Sequence, residues 1–351
     1  MQGTLTTTLI VRFSSVGDLL LTTPALRALR RRFPESRIDF LVRSEYAELL
    51  RGNPHCTSLL EFPAGGTLDD LSRLRGQIRR SGYDLIVDLH GSLRSRILLR
   101  GLRNVVRIRK RVVPRWFLVR CKADLYSFFG GSPGVADRYL ETLRPWGVSD
   151  DGEGPEIFPS EEAQAAAAAL AEKAGAEEKA GWIGVAPSAK HATKIWPWER
   201  FAGAAAELSR IRRTGVMLFG GPDDADLCGR TARRIRELQP DIRVLDASGQ
   251  LTLPATAALM DRCGVILTND SGLMHLAAAR KRKIVALFGS TVGQFGFFPP
   301  AGSSIVVEQH GLRCRPCTHI GRESCPLGHF RCMTEIGPER VVAAASAIIS
   351  T

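Results

Sequence analysis

The chain has 351 residues, 44% of them apolar and 24% charged, which is ordinary for globular proteins and excludes a largely disordered chain. Lys and Arg number 48 against 36 Asp and Glu, a formal net charge of +12. No apolar run reaches the ~18–20 residues of a membrane-spanning helix, and the N-terminal MQGTLTTTLIVRF lacks the pattern of a secretory signal, so we expect a cytoplasmic protein, soluble or attached to a surface.

The first half of the chain alternates strand-like and helix-like patterns. Apolar, β-branched runs predict strands at 9–13, 38–42, 58–62 and 84–89. Helical spacing of apolar residues predicts helices at 24–32, 45–50 and 68–81. This alternation is typical of βαβ units and a parallel sheet.

A segment rich in glycine, proline and acidic residues, 147–159, predicts a domain boundary, and an alanine-rich helix is expected over 161–174. The second half then repeats the rhythm. Its predicted strands are 182–186, 216–219, 265–268, 284–288 and 305–307, and its predicted helices are 198–211, 225–238, 254–262, 271–279 and 339–349. We therefore expect an α/β protein with domains at 1–155 and 156–337, and a C-terminal helix, 338–351, that packs back on the N-terminal domain.

Polar motifs follow these predicted strands. The first, Ser14-Ser15-Val16-Gly17-Asp18, lies between the first strand and the first helix, where Asp18 is either a helix-capping residue or a catalytic carboxylate. The loop 187–194 brings hydroxyl groups and two lysines, which suit phosphate oxygens. Because ligands bind beyond the carboxyl ends of the strands in open α/β sheets, the motifs predict a binding cleft.

Three further motifs belong to the same set. The turn 219–224 carries carboxylates that can reach ribose hydroxyls, and 288–291 is another small polar loop. At 268–275 a strand runs directly into a helix, whose exposed N–H groups favour an anion near Ser271. Neither GxGxxG nor GxxxxGK[ST] occurs, which argues against a dinucleotide cofactor and against P-loop phosphoryl transfer.

Nearly all of the excess positive charge lies in residues 94–122, which hold 11 basic residues and no acidic one. Such a segment attracts nucleic acid, anionic lipid or a phosphorylated substrate, or is only a solvated face. Next to these charges, the run 116–119 (Trp-Phe-Leu-Val) is expected to enter a membrane interface.

Four cysteines lie within 19 residues: Cys314, Cys317, Cys325 and Cys332. They allow three interpretations, namely a structural zinc or iron–sulfur site, two disulfides, or free thiols. Whichever holds, we expect a structural role.

The pieces LIVRFSSVGDLLLTTPALRALRRRFP, YDLIVDLHGSLRSR, IGVAPSAKHATKIWPWERFA, MLFGGPDD, LTNDSGLMHLAAA and VALFGST, in this order, resemble the ADP-heptose:lipopolysaccharide heptosyltransferases of glycosyltransferase family 9, and more closely those that add the second heptose. The resemblance covers nearly the whole chain. It implies a GT-B fold, two Rossmann-like domains with parallel sheets facing across a cleft, with the acceptor on the N-terminal domain and the nucleotide sugar on the C-terminal one.

The implied reaction is an inverting transfer of heptose from ADP-heptose to the inner core of lipopolysaccharide, without a metal or other cofactor. The basic segment is expected to dock the enzyme on the cytoplasmic face of the membrane, so the expected partners are ADP-heptose, the core lipid acceptor and the anionic inner-membrane surface, and not nucleic acid. The resemblance makes Asp18 the general base and Lys194 the lysine at the donor phosphates. The other implied donor residues are Ser188, Asp224, Leu251, Asp270, Ser271, Gly272 and His275, and the expected acceptor or membrane residues are Ser14, Ser15, Arg94, Arg96, Arg109, Lys110 and Arg111.

Two other functions remain as alternatives. A nucleotide-sugar epimerase of the same two-domain shape needs no acceptor surface, so it leaves the basic segment unexplained. A nucleic-acid-binding protein is suggested by the pI near 9.7, with Trp116 and Phe117 available to stack on bases.

Overall fold

The computed structural model describes residues 5–176 and 181–350. All nine predicted strands form, and two short ones were not predicted, β5 and β8, both of only three residues. The strands are β1 (Thr7–Val11), β2 (Arg37–Arg43), β3 (Ser58–Phe62), β4 (Leu85–Asp88), β5 (Val105–Arg107), β6 (Trp182–Ala186), β7 (Val216–Leu218), β8 (Val244–Asp246), β9 (Cys263–Asn269), β10 (Ile284–Phe288) and β11 (Ser304–Glu308).

The helices pack between and around these strands. They are α1 (Val16–Leu20), α2 (Thr23–Arg32), α3 (Leu68–Ser81), α4 (Leu93–Leu98), α5 (Val112–Cys121), α6 (Val135–Leu143), α7 (Glu161–Lys173), α8 (Trp198–Arg212), α9 (Ala225–Leu238), α10 (Leu253–Met260), α11 (Gly272–Ala279), α12 (Arg331–Thr334) and α13 (Pro338–Ser350). The helix predicted at 45–50 is instead a 3₁₀ helix, Ser44–Leu49. No helix in the described part of the chain has both the length and the apolarity to cross a membrane.

The chain divides into two compact units. The first runs up to Arg111 and includes Pro133–Phe158, and the second comprises Val112–Ser132 and the chain from Pro159 onward. Val112–Ser132, which we call the excursion, therefore leaves the first unit and returns to it. In the second unit its Leu118 and Tyr126 pack with Phe295 in a small apolar cluster.

Each unit is built on a parallel sheet. The order in the first is β3-β2-β1-β4-β5, and in the second β11-β10-β9-β6-β7-β8. The strand order reverses direction between β1 and β4 in the first unit and between β6 and β9 in the second. In doubly wound sheets the connecting loops diverge at such a reversal, and ligands bind there beyond the carboxyl ends of the strands.

The central strands are almost wholly buried, as expected for parallel strands covered by helices on both faces. The core of the second unit includes Trp196 and Phe201, and also three residues of α13: Val341, Ala345 and Ile348. The structure thus places α13 in the core of the second unit. The sequence, by contrast, predicts a helix packed on the N-terminal domain. Thr351, the last residue of that predicted helix, lies outside the described residues.

Candidate active site

Asp18 lies at the strand-order reversal of the first unit. The chain leaves β1 at Val11, and α1 starts at Val16 after Ser15, so Asp18 falls in the first turn of this short helix. Its side chain is 21% exposed, and its Oδ2 accepts a hydrogen bond from Ser15 Oγ at 3.1 Å. The carboxylate is thus held in place while part of it stays open to solvent.

Arg12 and Tyr139 complete the surroundings of this carboxylate. Arg12 Nη2 is 2.7 Å from Asp18 Oδ2, and the guanidinium also donates to the carbonyls of Ser14 (2.7 Å) and Leu89 (2.8 Å). The Tyr139 hydroxyl donates to Asp18 Oδ1 at 3.5 Å, and burial raises the pKa of this phenol, so it keeps its proton. Among the described residues no side-chain capping bond is found at the start of α1, so Asp18 does not cap this helix, and its catalytic role stays a prediction.

The loop after β4 lies beside the loop of Asp18, because Val11 of β1 pairs with Asp88 of β4. Asp88 Oδ1 accepts from the backbone N–H groups of His90 (3.1 Å) and Gly91 (2.8 Å). Burial, and then the charges of Arg12 and Lys110, lower the pKa of His90 to about 4. The imidazole is therefore neutral at pH 7, and its buried Nδ1 has no hydrogen-bond partner among the described residues.

Two of the predicted acceptor residues lie around this loop. Gly91 has a φ of +56°, and a Cβ there would be 3.1 Å from Lys110 Cε, so the lysine stem rests against the glycine. The Arg94 guanidinium lies over the Phe62 ring, 5.7 Å from its centroid. For the remaining predicted basic residues no contact with this loop is found in the described part of the chain: Arg96 and Arg109 are exposed and Arg111 is half-buried.

Lys194 and Asp270 meet at the reversal of the second unit. Lys194 follows β6, Asp270 follows β9, and these strands are neighbours in the sheet. Lys194 Nζ is 2.7 Å from Asp270 Oδ2, with the lysine side chain 14% and the aspartate 6% exposed. The Thr291 hydroxyl, from the loop after β10, donates to the same oxygen at 2.7 Å.

The start of α11 adds backbone N–H groups to this place. Ser271 is the N-cap residue and Gly272 the first helical residue. The side-chain oxygens of Ser271 and Ser290 are buried and lack a hydrogen-bond partner within the described residues. Unsatisfied hydroxyls, a helix N-terminus and an ammonium group together are suited to an anion. His275, one turn further, is buried, with its ring 6.2 Å from that of Phe297.

Asn269 ties the loops on either side of the reversal together. This fully buried residue donates from Nδ2 to the carbonyl of Pro187 at 2.8 Å and accepts from the Trp196 backbone N–H at 2.9 Å. The loop that carries Lys194 is therefore attached at both ends to the last residue of β9. Ser188, also buried, lies directly after the anchored Pro187.

Asp224 and Leu251 follow β7 and β8, further along the same edge of the sheet. Both are half-buried. Asp224 Oδ2 accepts from the backbone N–H of Gly221 at 2.8 Å, and the Gly249 N–H donates to the carbonyl of Gly220 at 3.1 Å, so the two loops are joined. The donor residues predicted from the sequence thus follow four adjacent strands in spatial order: β9, β6, β7 and β8.

The predicted structural metal site at Cys314, Cys317, Cys325 and Cys332 does not form. Over residues 5–176 and 181–350, no three His, Cys, Asp or Glu side chains come together as a metal ion requires. Burial and the three nearby thiols raise the pKa of Cys332 to about 11. All eight cysteines are free, so of the three interpretations the structure contains free thiols.

Several residues of these sites were missed by the sequence analysis. Arg12 carried one usable signal, a charge at the end of an otherwise apolar strand. Tyr139 carried none, because it is 121 positions from Asp18 and meets it only through packing of α6. Asn269 and Thr291 lie within motifs that were recognised, but nothing in the sequence separates their roles from those of their neighbours.

Two Rossmann-like units, each with its polar residues at the strand-order reversal, define a GT-B-like fold. The crystal structure of a family 9 glycosyl transferase from Veillonella parvula has a TM-score of 0.82 to this chain at 24% identity, covering 100% of this chain and 99% of the other. E. coli ADP-heptose LPS heptosyltransferase II has a TM-score of 0.72 at 23% identity, covering 98% of each chain. The predicted fold class is confirmed.

The family follows from sequence comparison. The model of glycosyltransferase family 9 (heptosyltransferase) matches residues 71–327, so the chain belongs to this family. Lipooligosaccharide heptosyltransferase 2 of Haemophilus ducreyi is 27% identical over 345 residues, 95% of this chain and 97% of the relative. The predictions of the family and of a glycosyltransferase enzyme are confirmed, and the epimerase alternative is not favoured.

Proposed function

We propose that this enzyme transfers heptose from ADP-heptose to the inner core of lipopolysaccharide, with inversion at the anomeric carbon. The observation that carries the proposal is the Lys194–Asp270 pair beside the start of α11, a site for a diphosphate at the strand-order reversal of the second unit. The H. ducreyi relative is by name a lipooligosaccharide heptosyltransferase 2, and the E. coli structure is by title an ADP-heptose heptosyltransferase II. The name of the H. ducreyi relative supports heptose transfer to a lipooligosaccharide acceptor.

In this proposal the second unit binds the donor. Lys194 and the N–H groups at Ser271 and Gly272 hold the diphosphate, with Ser188 alongside as a hydroxyl donor. Asp270 orients the ammonium of Lys194. The carboxylate of Asp224 binds ribose, Leu251 lines the adenine pocket, and His275 supports the start of α11. The positive charge stabilises the leaving ADP, the group on which negative charge develops.

Asp18 of the first unit is the general base. As the acceptor hydroxyl attacks, its oxygen forms a bond to the anomeric carbon while the bond from that carbon to the β-phosphate oxygen breaks. The acceptor proton goes to Asp18, and the electron pair of the broken bond leaves with ADP. A single displacement of this kind inverts the configuration. Ser14 and Ser15, together with the basic residues near Gly91, serve the anionic acceptor.

The decisive experiment incubates the enzyme with ADP-heptose and a panel of truncated core acceptors, and then measures product masses. We expect one acceptor to gain a single heptose while an equal amount of ADP is released. Free heptose, or an isomerised donor, formed equally well without any acceptor would contradict transfer. Asp18→Asn serves as the inactive control, since it keeps the size of the side chain and removes the base.

We also propose that the enzyme attaches peripherally to the cytoplasmic face of the membrane through the excursion. Its exposed apolar side chains are Val112 and Val113 (51% each), Trp116 (54%), Phe128 (83%) and Phe129 (45%). This surface differs from the predicted one at 116–119, because Leu118 is buried in its cluster and Val119 packs against it. Of that predicted run only Trp116 is largely exposed.

The charge of this surface matches an anionic bilayer. The excursion carries three basic residues, Arg115, Arg120 and Lys122, against one acidic residue, Asp124, and Arg115 and Arg120 lie on α5 among the exposed apolar residues. Each Lys or Arg near an anionic surface contributes roughly 1 kcal/mol, and aromatic side chains are favoured at the interface.

Sedimentation with lipid vesicles tests this attachment. Phe128→Ser combined with Phe129→Ser should weaken binding to phosphatidylethanolamine/phosphatidylglycerol vesicles by about tenfold or more, because two aromatic side chains no longer enter the interface. Turnover with an acceptor that lacks acyl chains should be unchanged. Leu238→Ser on α9, a residue with 45% exposure, is the matched control. Equal binding to neutral phosphatidylcholine vesicles, or an equal loss in the control, would contradict the proposal.

A further inference from the structure

Arg315, near the start of the cysteine-rich segment, is almost completely buried, with 7% of its side chain exposed. Its Nε donates to the carbonyl of Gly289 at 2.6 Å, Nη2 to that of Thr291 at 2.8 Å, and Nη1 to that of Gln309 at 3.1 Å. Nη2 also forms an ion pair with Glu308. One guanidinium therefore fixes the loop after β10 to the end of β11.

This loop is linked through side-chain contacts to Lys194, the lysine predicted to bind phosphate. Thr291, whose carbonyl is held by Arg315, donates its hydroxyl to Asp270 Oδ2 at 2.7 Å. Lys194 Nζ is 2.7 Å from the same oxygen. Three consecutive contacts thus run from Arg315 through Thr291 and Asp270 to Lys194.

The same segment also supports the Lys194 loop from the other side. The backbone N–H of Arg322 donates to Thr193 Oγ1 at 2.8 Å, and the N–H of Thr193 donates to the Arg322 carbonyl at 3.1 Å. Gly321, at a φ of +119°, packs so closely on His191 that a Cβ would be 2.3 Å from the histidine Cβ. Residues 315–322 therefore contact both the lysine loop and the loop that orients its aspartate partner.

We propose that Arg315 is a positioning residue for Lys194, and that residues 315–322 form a brace that holds the donor diphosphate site in its binding geometry before the nucleotide arrives. A guanidinium is suited to this role, because its rigid fork of donors reaches several carbonyls at once, which a lysine ammonium on a flexible stem does not. The proposal rests on the function proposed above, in which Lys194 binds the diphosphate. It gives the cysteine-rich segment a role that needs neither a metal nor a disulfide.

Calorimetric titration with ADP tests the brace. We expect Arg315→Lys to weaken ADP binding about tenfold and to raise KM for the donor, since the single ammonium leaves carbonyls unpaired and frees the Thr291 loop. Thr291→Val, which breaks the second contact and leaves Arg315 intact, should act in the same direction. Arg313→Met is the matched control, because Arg313 is an exposed arginine of the same segment, and its ADP affinity should equal that of the wild type.

A double-mutant cycle separates positioning from a general structural role. If Arg315 acts through Lys194, then Arg315→Lys should cause little further loss of ADP affinity in a Lys194→Ala background. Additive losses, or a variant with a lower melting temperature and wild-type ADP affinity, would overturn the proposal. A wild-type enzyme that fails to bind ADP would instead overturn the proposed function itself, so the two failures are distinguishable.

Discussion

At the scale of single residues, the carboxylate of Asp18 is held by one cation and two hydroxyl groups. Arg12 itself donates hydrogen bonds to two backbone carbonyls, so it cannot move without breaking these bonds. As the proposed general base, a carboxylate fixed in this way would meet the acceptor hydroxyl with little reorganisation, which is what positioning contributes to catalysis.

Replacing Asp18 with Asn should lower turnover on the order of 10²–10⁴-fold, because the amide cannot accept the acceptor proton. The affinity for ADP should stay unchanged, since the residues proposed to bind the nucleotide lie in the second unit. Steady-state kinetics and calorimetry measure the two effects. Asp69→Asn, an exposed aspartate in the first turn of α3, is the control. Near-normal turnover of Asp18→Asn would contradict the role as general base and leave Asp18 as a residue that stabilises the start of a helix.

His90 gives the first unit a dependence on pH. Its pKa is lowered to about 4, from an ordinary value near 6.5, so the unfolded chain takes up a proton between these values while the folded chain does not. The stabilisation is therefore complete above pH 6.5 and is lost as the pH falls towards 4, by at most about 3 kcal/mol.

Urea denaturation at pH 7 and pH 5 checks this expectation. His90→Gln should lose less stability than the wild type over that interval, because the titrating group is gone. An identical pH dependence in His90→Gln and the wild type would mean that other groups are responsible.

At the scale of elements, the loops at the carboxyl ends of β6 and β9 depend on one amide. Asn269→Ala leaves the Trp196 N–H and the Pro187 carbonyl without their partner in a dry interior, and each unmet group costs roughly 1–3 kcal/mol. We expect a loss of about 2–4 kcal/mol in the free energy of unfolding, together with weaker ADP binding. Gln164→Ala, an exposed amide that also donates to a proline carbonyl, should change stability by less than about 0.5 kcal/mol. A similar loss in both variants would show that burial is not the cause.

The elements themselves were largely predictable, because buried parallel strands appear in the sequence as uninterrupted apolar runs. β3, β6 and β10 have the predicted bounds. β5 and β8 were not predicted. Each is an edge strand of three residues that are only partly buried or exposed, which is too short to show an alternation of apolar and polar residues. The strand-end motifs could be placed on one edge from topology alone.

What the sequence could not supply were contacts over long distances in the chain. Tyr139 reaches Asp18 from α6, and Phe295 decides that Leu118 is buried and not exposed. In the sequence, the segment around Arg315 resembles a metal site, because the spacing of its cysteines is visible. The hydrogen-bond partners of Arg315 cannot be seen in the sequence.

At the scale of the whole molecule, the chain supplies its own cations, with a net charge of +12 and Lys194 at the expected leaving group. Turnover should therefore survive EDTA unchanged. A Mg²⁺-dependent glycosyltransferase in the same buffer, which must lose its activity, confirms that chelation was effective. A loss of turnover that Mg²⁺ or Mn²⁺ restores would show that a divalent ion shares the work of Lys194.

The excursion has a consequence for how such enzymes can exchange parts. Because Val112–Ser132 belongs to the second unit, the chain passes from one unit to the other three times, after Arg111, after Ser132 and after Phe158. A gene fusion with a single junction near residue 155 would take the excursion from one parent and Phe295 from the other. The apolar cluster of Leu118, Tyr126 and Phe295 would then combine side chains that did not evolve together. Recombination that keeps both units intact has to transfer residues 112–132 together with the C-terminal half, so the two units are not inherited as two contiguous blocks of the chain.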